Sequence, residues 1–132
     1  MSDTSANRCS TCGPDDPSQA LAWHGAGSAG TENLIDESHF MVSIIRCPEC
    51  GQAHIHVFAE TVDWVYSEDP QTVIRFAVSD AEASELRESP TGAMESVVAQ
   101  LGSNRHRAQS HWPSDGPKSA SFVTGRFTIP HD

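Results

Sequence analysis

Four cysteines carry the strongest chemical signal in the chain. They form two C-x-x-C-G units, Cys9-Ser10-Thr11-Cys12-Gly13 and Cys47-Pro48-Glu49-Cys50-Gly51. Two thiolates at this spacing can grip one metal ion from a tight turn. The glycine that follows lets the chain reverse while backbone N–H groups point at the sulfurs. Two such turns supply four sulfurs at the corners of a tetrahedron, which suits Zn²⁺, with iron as the main competing metal. The other chemistries open to these residues are two disulfides or a redox C-x-x-C. A shell of four thiolates leaves no open coordination position, so the expected ion is structural and not catalytic. Its binding contributes on the order of 10 kcal/mol to small metal-dependent folds.

The paired units resemble the knuckles of a zinc ribbon, and Cys-Pro-Glu-Cys-Gly is a good match to one. The resemblance covers the four cysteines, their glycines and the hairpin 39–60 around the second knuckle. It implies structural Zn²⁺ on Cys9, Cys12, Cys47 and Cys50. The spacer is longer than in the shortest ribbons, so an insertion is expected within 17–38. Zinc ribbons bind DNA, RNA and protein alike, so the likeness implies a scaffold and not a partner.

Other constellations are weaker. Gly25-Ala26-Gly27-Ser28-Ala29-Gly30 spells G-x-G-x-x-G, but no strong strand precedes it and a βαβ unit has no room between the knuckles. A zinc deaminase needs H-x-E ahead of P-C-x-x-C, yet Cys47 follows Arg46 and neither His24 nor His39 has a glutamate two places on. His54 and His56 lie two apart on a strand pattern, hence on one face; they either bind a metal or phosphate or line the polar side of a half-exposed strand. Arg105, His106, Arg107 and His111 form a small basic group, either an anion site or a solvated loop. There is no G-x-S-x-G, and no nucleophile–base arrangement stands out.

The 132 residues carry 18 acidic and eight basic side chains, a formal charge of −10, and seven of the eight bases are arginines. This balance argues against binding by phosphate neutralisation or to an anionic membrane, and favours a basic partner. Between 60 and 95, nine acids face only Arg75 and Arg87. Glu82, Glu85 and Glu88 recur every three residues and with Asp80 cluster along one side of a helix. That side is either a solvated face or a docking surface, with Trp64, Tyr66 and Trp112 as aromatic anchors if exposed; Trp64 and Tyr66 are otherwise core. No segment reaches the roughly 18 apolar residues of a membrane span, and the polar start has no signal-peptide pattern, so a cytoplasmic location with reduced thiols is expected.

The elements that must position these groups follow from periodicity. Residues 39–46 are apolar on both faces, as in an interior strand; 53–59, 62–66 and 72–78 alternate, with Asp69-Pro70 as a turn, giving an antiparallel meander. Residues 25–33 and 103–120 read as loops, and 121–129 as a closing strand. Ser18 to Trp23 could make one helical turn. Ser79 with Glu82 fits a capping box for a helix over 80–88 that carries mainly Ala83 and Leu86 and so should sit shallowly. Met94, Val97, Val98 and Leu101 make one stripe of a second helix, stopped by Gly102. The expected fold is a single α+β domain over 1–132: an antiparallel sheet of four to five strands, two helices, and a zinc-ribbon-like four-cysteine site. Residues 1–60 form the knuckle portion and 61–132 the sheet and helix portion.

The expected function is a non-catalytic protein-binding module. Its size, acidity and lack of a catalytic set resemble immunity proteins of bacterial toxin–immunity pairs, which implies a basic nuclease toxin as partner, inhibited at its active site or an adjoining surface. The alternative is a zinc-ribbon regulatory or nucleic-acid-associated protein using Arg105, His106, Arg107 and Arg126. A hydrolytic enzyme built on His54 and His56 ranks last.

Overall fold

The computed structural model describes residues 10–23, 25, 30–37, 39–60, 71–112 and 119–127. Its sheet is a six-stranded antiparallel meander in sequence order: β1 (Thr31–Glu37), β2 (Phe40–Arg46), β3 (Ala53–Glu60), β4 (Gln71–Ala77), β5 (Arg107–Trp112) and β6 (Ser119–Val123). Three helices join it: α1 (Pro17–Ala20), α2 (Asp80–Arg87) and α3 (Thr91–Gly102). The α+β class holds, with more strands than the four to five expected. The single sheet draws strands from both the knuckle portion and the later portion. No helix among the described residues is long and apolar enough to cross a membrane.

The extra strands are β1 and β5. The first lies in the expected insertion 17–38, and the second in the expected loop 103–120. Neither has an apolar alternation; each is held by backbone pairing to a more apolar neighbour, β1 to β2 and β5 to β4. Strand propensity yields to such context. The closing strand also sits earlier than expected, at 119–123 and not 121–129. The expected strand 62–66 and the turn at Asp69-Pro70 lie outside the described residues, and β3 pairs directly with β4.

Residues opposite one another in the ladder share a face. One face carries Ile44, Ile55 and Phe76 in one row and Val42, Val57 and Ile74 in the next. Leu86, Ala83, Met94 and Val98 of the helices complete this core. Although α2 contributes few apolar groups, Ala83 and Leu86 are fully enclosed, so its contact is narrow but not shallow. Ser79 caps it as expected, its hydroxyl accepting from the Glu82 N–H at 3.1 Å while the Glu82 carboxylate accepts from the Ser79 N–H at 2.9 Å.

Gly102 serves a different purpose from the expected stop. It is the last residue of α3, and a Cβ there would sit 2.4 Å from the Phe127 ring. The glycine lets the helix end press against Phe127, which in turn meets Phe76 edge-on at 6.1 Å. Gly102→Ala is expected to destabilise the fold by about 2 kcal/mol through overpacking, read as a lower urea midpoint at unchanged slope.

The opposite face of the sheet is also covered. Residues 10–23, including α1, run across it as a strap. The row Ser43, His56, Arg75 and Ala108 and the row Ile45, His54 and Ala77 point toward this side. This second cover explains why β2 is apolar on both faces: Ile45 joins Cys12, Trp23 and Cys47 in a small cluster separate from the main core.

Candidate metal centre

The β2–β3 connection is a tight turn. The Gly51 N–H donates to the Cys47 carbonyl at 2.9 Å and the Cys47 N–H to the Gln52 carbonyl at 3.1 Å. Gly51 takes φ +78°, a conformation that favours glycine, as the C-x-x-C-G reading requires. Arg46 braces the turn from outside, donating from Nη1 to the Gly51 carbonyl at 3.2 Å and to Asp80 at 2.9 Å. The turn is thereby tied to the first turn of α2.

The first cysteine turn reaches the same place from 38 residues away in sequence. Cys12 Sγ lies 3.6 Å from Cys50 Sγ, and the sulfurs of Cys12, Cys47 and Cys50 all fall within 4.8 Å of one another. None of the three is in a disulfide. Two ligands at about 2.3 Å from a tetrahedral zinc lie about 3.8 Å apart, so these spacings fit a metal-thiolate shell. Cys12 and Cys47 are 2% and 3% exposed, while Cys50 is at the surface. These three residues are close enough to bind a metal ion. The fourth expected ligand, Cys9, lies outside the described residues.

What holds the first turn against the sheet is Trp23 with Arg75, a pair the sequence reading did not single out. Arg75 stands in the apolar run Thr72-Val73-Ile74-Arg75-Phe76-Ala77-Val78 and is 6% exposed. Its Nη1 donates to the carbonyl of Trp23 at 2.8 Å and reaches that of Ala20 at 3.4 Å. Its Nε donates to His56 Nδ1 at 3.1 Å, and its guanidinium lies 4.7 Å from the centre of the Trp23 ring. Burial pushes its pKa down to about 10, which still leaves a cation at neutral pH. A lone charge inside an apolar strand was the signal available for it.

The histidine pair, on β3, faces this strap. His54 is buried and not on a half-exposed face, with its ring edge-on to Trp23 at 4.8 Å. His56 accepts from Arg75. Neither belongs to the metal-capable group formed among the described residues.

No family model matches this chain, and neither the curated proteins nor the solved structures offer a similar protein.

The expected partner-binding carboxylates differ in their freedom. Glu85 and Glu88 are exposed on α2. Asp80 is exposed but within ion-pair distance of Arg46. Glu82 faces inward: Arg105 Nη2 donates to it at 2.5 Å and Nη1 at 3.0 Å, and both side chains are three-quarters buried. Trp64 and Tyr66, proposed as anchors, and the side chain of Trp112 lie outside the described residues.

The Arg105 hydrogen bonds hold the Glu82 carboxyl below its ordinary value of 4.5, against the opposing effect of burial; the Ser79 backbone N–H adds to the lowering. A carboxyl depressed on folding stabilises the folded state above its unfolded pKa. That contribution disappears as pH falls through the lower folded value. Glu82→Gln is expected to flatten the pH dependence of unfolding below about pH 4.5 and to leave less stability at pH 7, measured by urea titrations across that range. A variant with the same acid slope as wild type would refute this role.

The basic group offered by the sequence is largely used internally. Arg105 is bound to Glu82, and Arg107 is buried. Arg107 Nη1 donates to the Gly102 carbonyl at the end of α3 at 2.6 Å and to the Gly125 carbonyl at 2.9 Å. It serves as a C-terminal helix cap. His106 stacks on Phe122 at 4.6 Å, and His111 is within 3.2 Å of the Thr72 hydroxyl.

Proposed function

We propose that this chain is a non-catalytic, zinc-stabilised binding module that docks a basic protein through its acidic exterior. An inhibitor of a basic nuclease toxin, of the immunity-protein kind, is the reading we favour. Zinc on Cys9, Cys12, Cys47 and Cys50 anchors the strap; it takes no part in a reaction, because a four-thiolate shell has no open position. Exposed Glu85 and Glu88, with Asp80 beside them, steer a cationic partner toward α2. Glu82 contributes by fixing the helix and not as a free charge.

One observation carries this choice of partner over a nucleic acid. Of the six described arginines, five are spent at home: Arg46, Arg87 and Arg105 lie against Asp80, Glu32 and Glu82, and Arg75 and Arg107 are buried; Arg126 alone of the six stands exposed outside these pairings. Among the described residues little positive surface is left to neutralise phosphates, while carboxylates at Asp36, Glu37, Glu49, Glu85 and Glu88 face solvent.

The test is to recover what the tagged chain binds in its native host and assay the captured protein for nuclease activity with and without added chain. Stoichiometric inhibition of a basic nuclease is the expected result. Charge reversal, Glu85→Lys with Glu88→Lys, should slow association about tenfold at low salt and alter dissociation little. Tight, salt-dependent binding of labelled RNA or DNA by the chain alone would overturn the reading.

A further inference from the structure

We infer that Cys50 is an oxidation site whose product is a disulfide to Cys12, so that hydroperoxides convert the metal-held strap into a covalently held one. The inference rests on the proposed metal only for its consequence, metal release; the bond itself rests on the sulfur geometry.

Three observations combine here. Cys50 is the exposed member of the sulfur cluster, whereas Cys12 and Cys47 are buried, so an oxidant in solution meets Cys50 first. Cys12 Sγ already stands 3.6 Å away, and closing to a bond of about 2.05 Å needs a movement of about 1.5 Å. Cys47 and Cys50 belong to one tight turn, whose backbone bonds run from the Cys47 N–H to Gln52 and from the Gly51 N–H to the Cys47 carbonyl, and a bond between those two cysteines would have to close within that turn. The residue that answers Cys50 therefore comes from the strap, across 38 residues of sequence.

The chemistry balances with a hydroperoxide as the named oxidant. The Cys50 thiolate attacks the peroxide; an S–O bond forms, the O–O bond breaks, and the departing alkoxide takes a proton to become an alcohol, or water when the oxidant is hydrogen peroxide. The Cys12 thiolate then attacks the Cys50 sulfenic sulfur. An S–S bond forms, the S–O bond breaks, and the departing hydroxide is protonated to water. Two thiols lose two electrons in all, and the peroxide oxygens gain them. Two of the proposed metal ligands are lost in this step, so the ion leaves.

The test uses the whole wild-type chain as purified, with its metal content measured first. Hydrogen peroxide is added, released metal is followed with a chromogenic chelator, and non-reduced peptides are sequenced by fragmentation mass spectrometry. The expected main product is Cys12–Cys50, formed in step with metal release and reversed by dithiothreitol plus zinc. Because Cys50→Ser would itself remove a proposed ligand, the order of attack is read on the wild-type chain: a sulfenic-acid trap added with a limiting dose of peroxide should label Cys50 before Cys12 or Cys47, and first labelling of a buried cysteine would overturn the inference. A main product joining Cys47 to Cys50, any bond to Cys9 as the main product, or Cys50 sulfinic acid without a cross-link overturns the inference. A Cys12–Cys50 bond in a protein that never held metal would leave the inference standing and sink the metal reading; bound metal with no such bond would do the reverse.

Discussion

Removing the metal, by chelation or by Cys47→Ser, is expected to lower the melting temperature by more than about 10 °C and to loosen the strap before the sheet. Cys47 is 3% exposed and sits where β2 enters the tight turn, so a serine there loses a thiolate in a place with little room for solvent to compensate. The satellite cluster that the strap shares with the sheet is small: Cys12, Trp23, Ile45 and Cys47. Two of its four members are proposed ligands. Without the ion, the apolar area that remains is modest, and the loss is a large part of the roughly 10 kcal/mol that structural zinc contributes in small folds. Among the described residues the main core, built from β2, β3, β4 and the two longer helices with Ile35 and Phe127, contains no cysteine. Hydrogen exchange should therefore show amides of 10–23 losing protection first, while those of β3, β4 and α3 keep theirs. A purified protein with no metal, four free thiols and an unchanged melting temperature would remove the basis of the metal reading.

Arg75→Ala is expected to cost about 3 kcal/mol, from two hydrogen bonds of a charged donor worth about 1.5 kcal/mol each, and to weaken metal binding as well. The side chain joins three parts of the molecule: β4, the His56 ring of β3, and the Trp23 carbonyl of the strap. Its truncation leaves a carbonyl turned toward the sheet without its donor and removes the cation from the face of Trp23. The strap carries Cys12, so a looser strap means a less organised shell, and metal affinity should fall with stability. Urea unfolding and competitive metal titration read the two effects separately. Arg75→Lys keeps the charge but cannot span His56 and the strap carbonyls with one planar fork, so it should recover only part of the loss. Unchanged metal affinity in Arg75→Ala would show that the strap holds its place without this link.

Local patterns explain why some parts of this molecule could be read in advance. The tight turn at 47–51 follows from a glycine that must adopt positive φ after two cysteines three positions apart, a property of five consecutive residues. The capping box at Ser79 and Glu82 is likewise a contact three residues long. The stripe Met94, Val97, Val98 and Leu101 names the buried side of α3 because helical periodicity is set within two turns. β2 reads as interior because alternation fails on both of its faces.

Other features had no local signature. β1 and β5 are strands because neighbours offer them backbone partners, and a nearly polar string such as Arg-Ala-Gln-Ser-His-Trp does not announce that. The fate of each charge was equally hidden: Glu82 looked like one of three equivalent carboxylates, yet it turns inward to Arg105, 23 residues on, while Glu85 and Glu88 stay in solvent. Spacing along a helix places side chains on a side, and what waits opposite that side is a matter of packing. The strap is the fullest case. A two-residue repeat says that His54, His56 and Arg75 can share a face, but the cover of that face comes from residues more than 30 positions away, through Trp23 and Cys12. Contacts at such separations are fixed by how the folded chain fills space, and no periodicity short enough to be seen in a window of sequence encodes them.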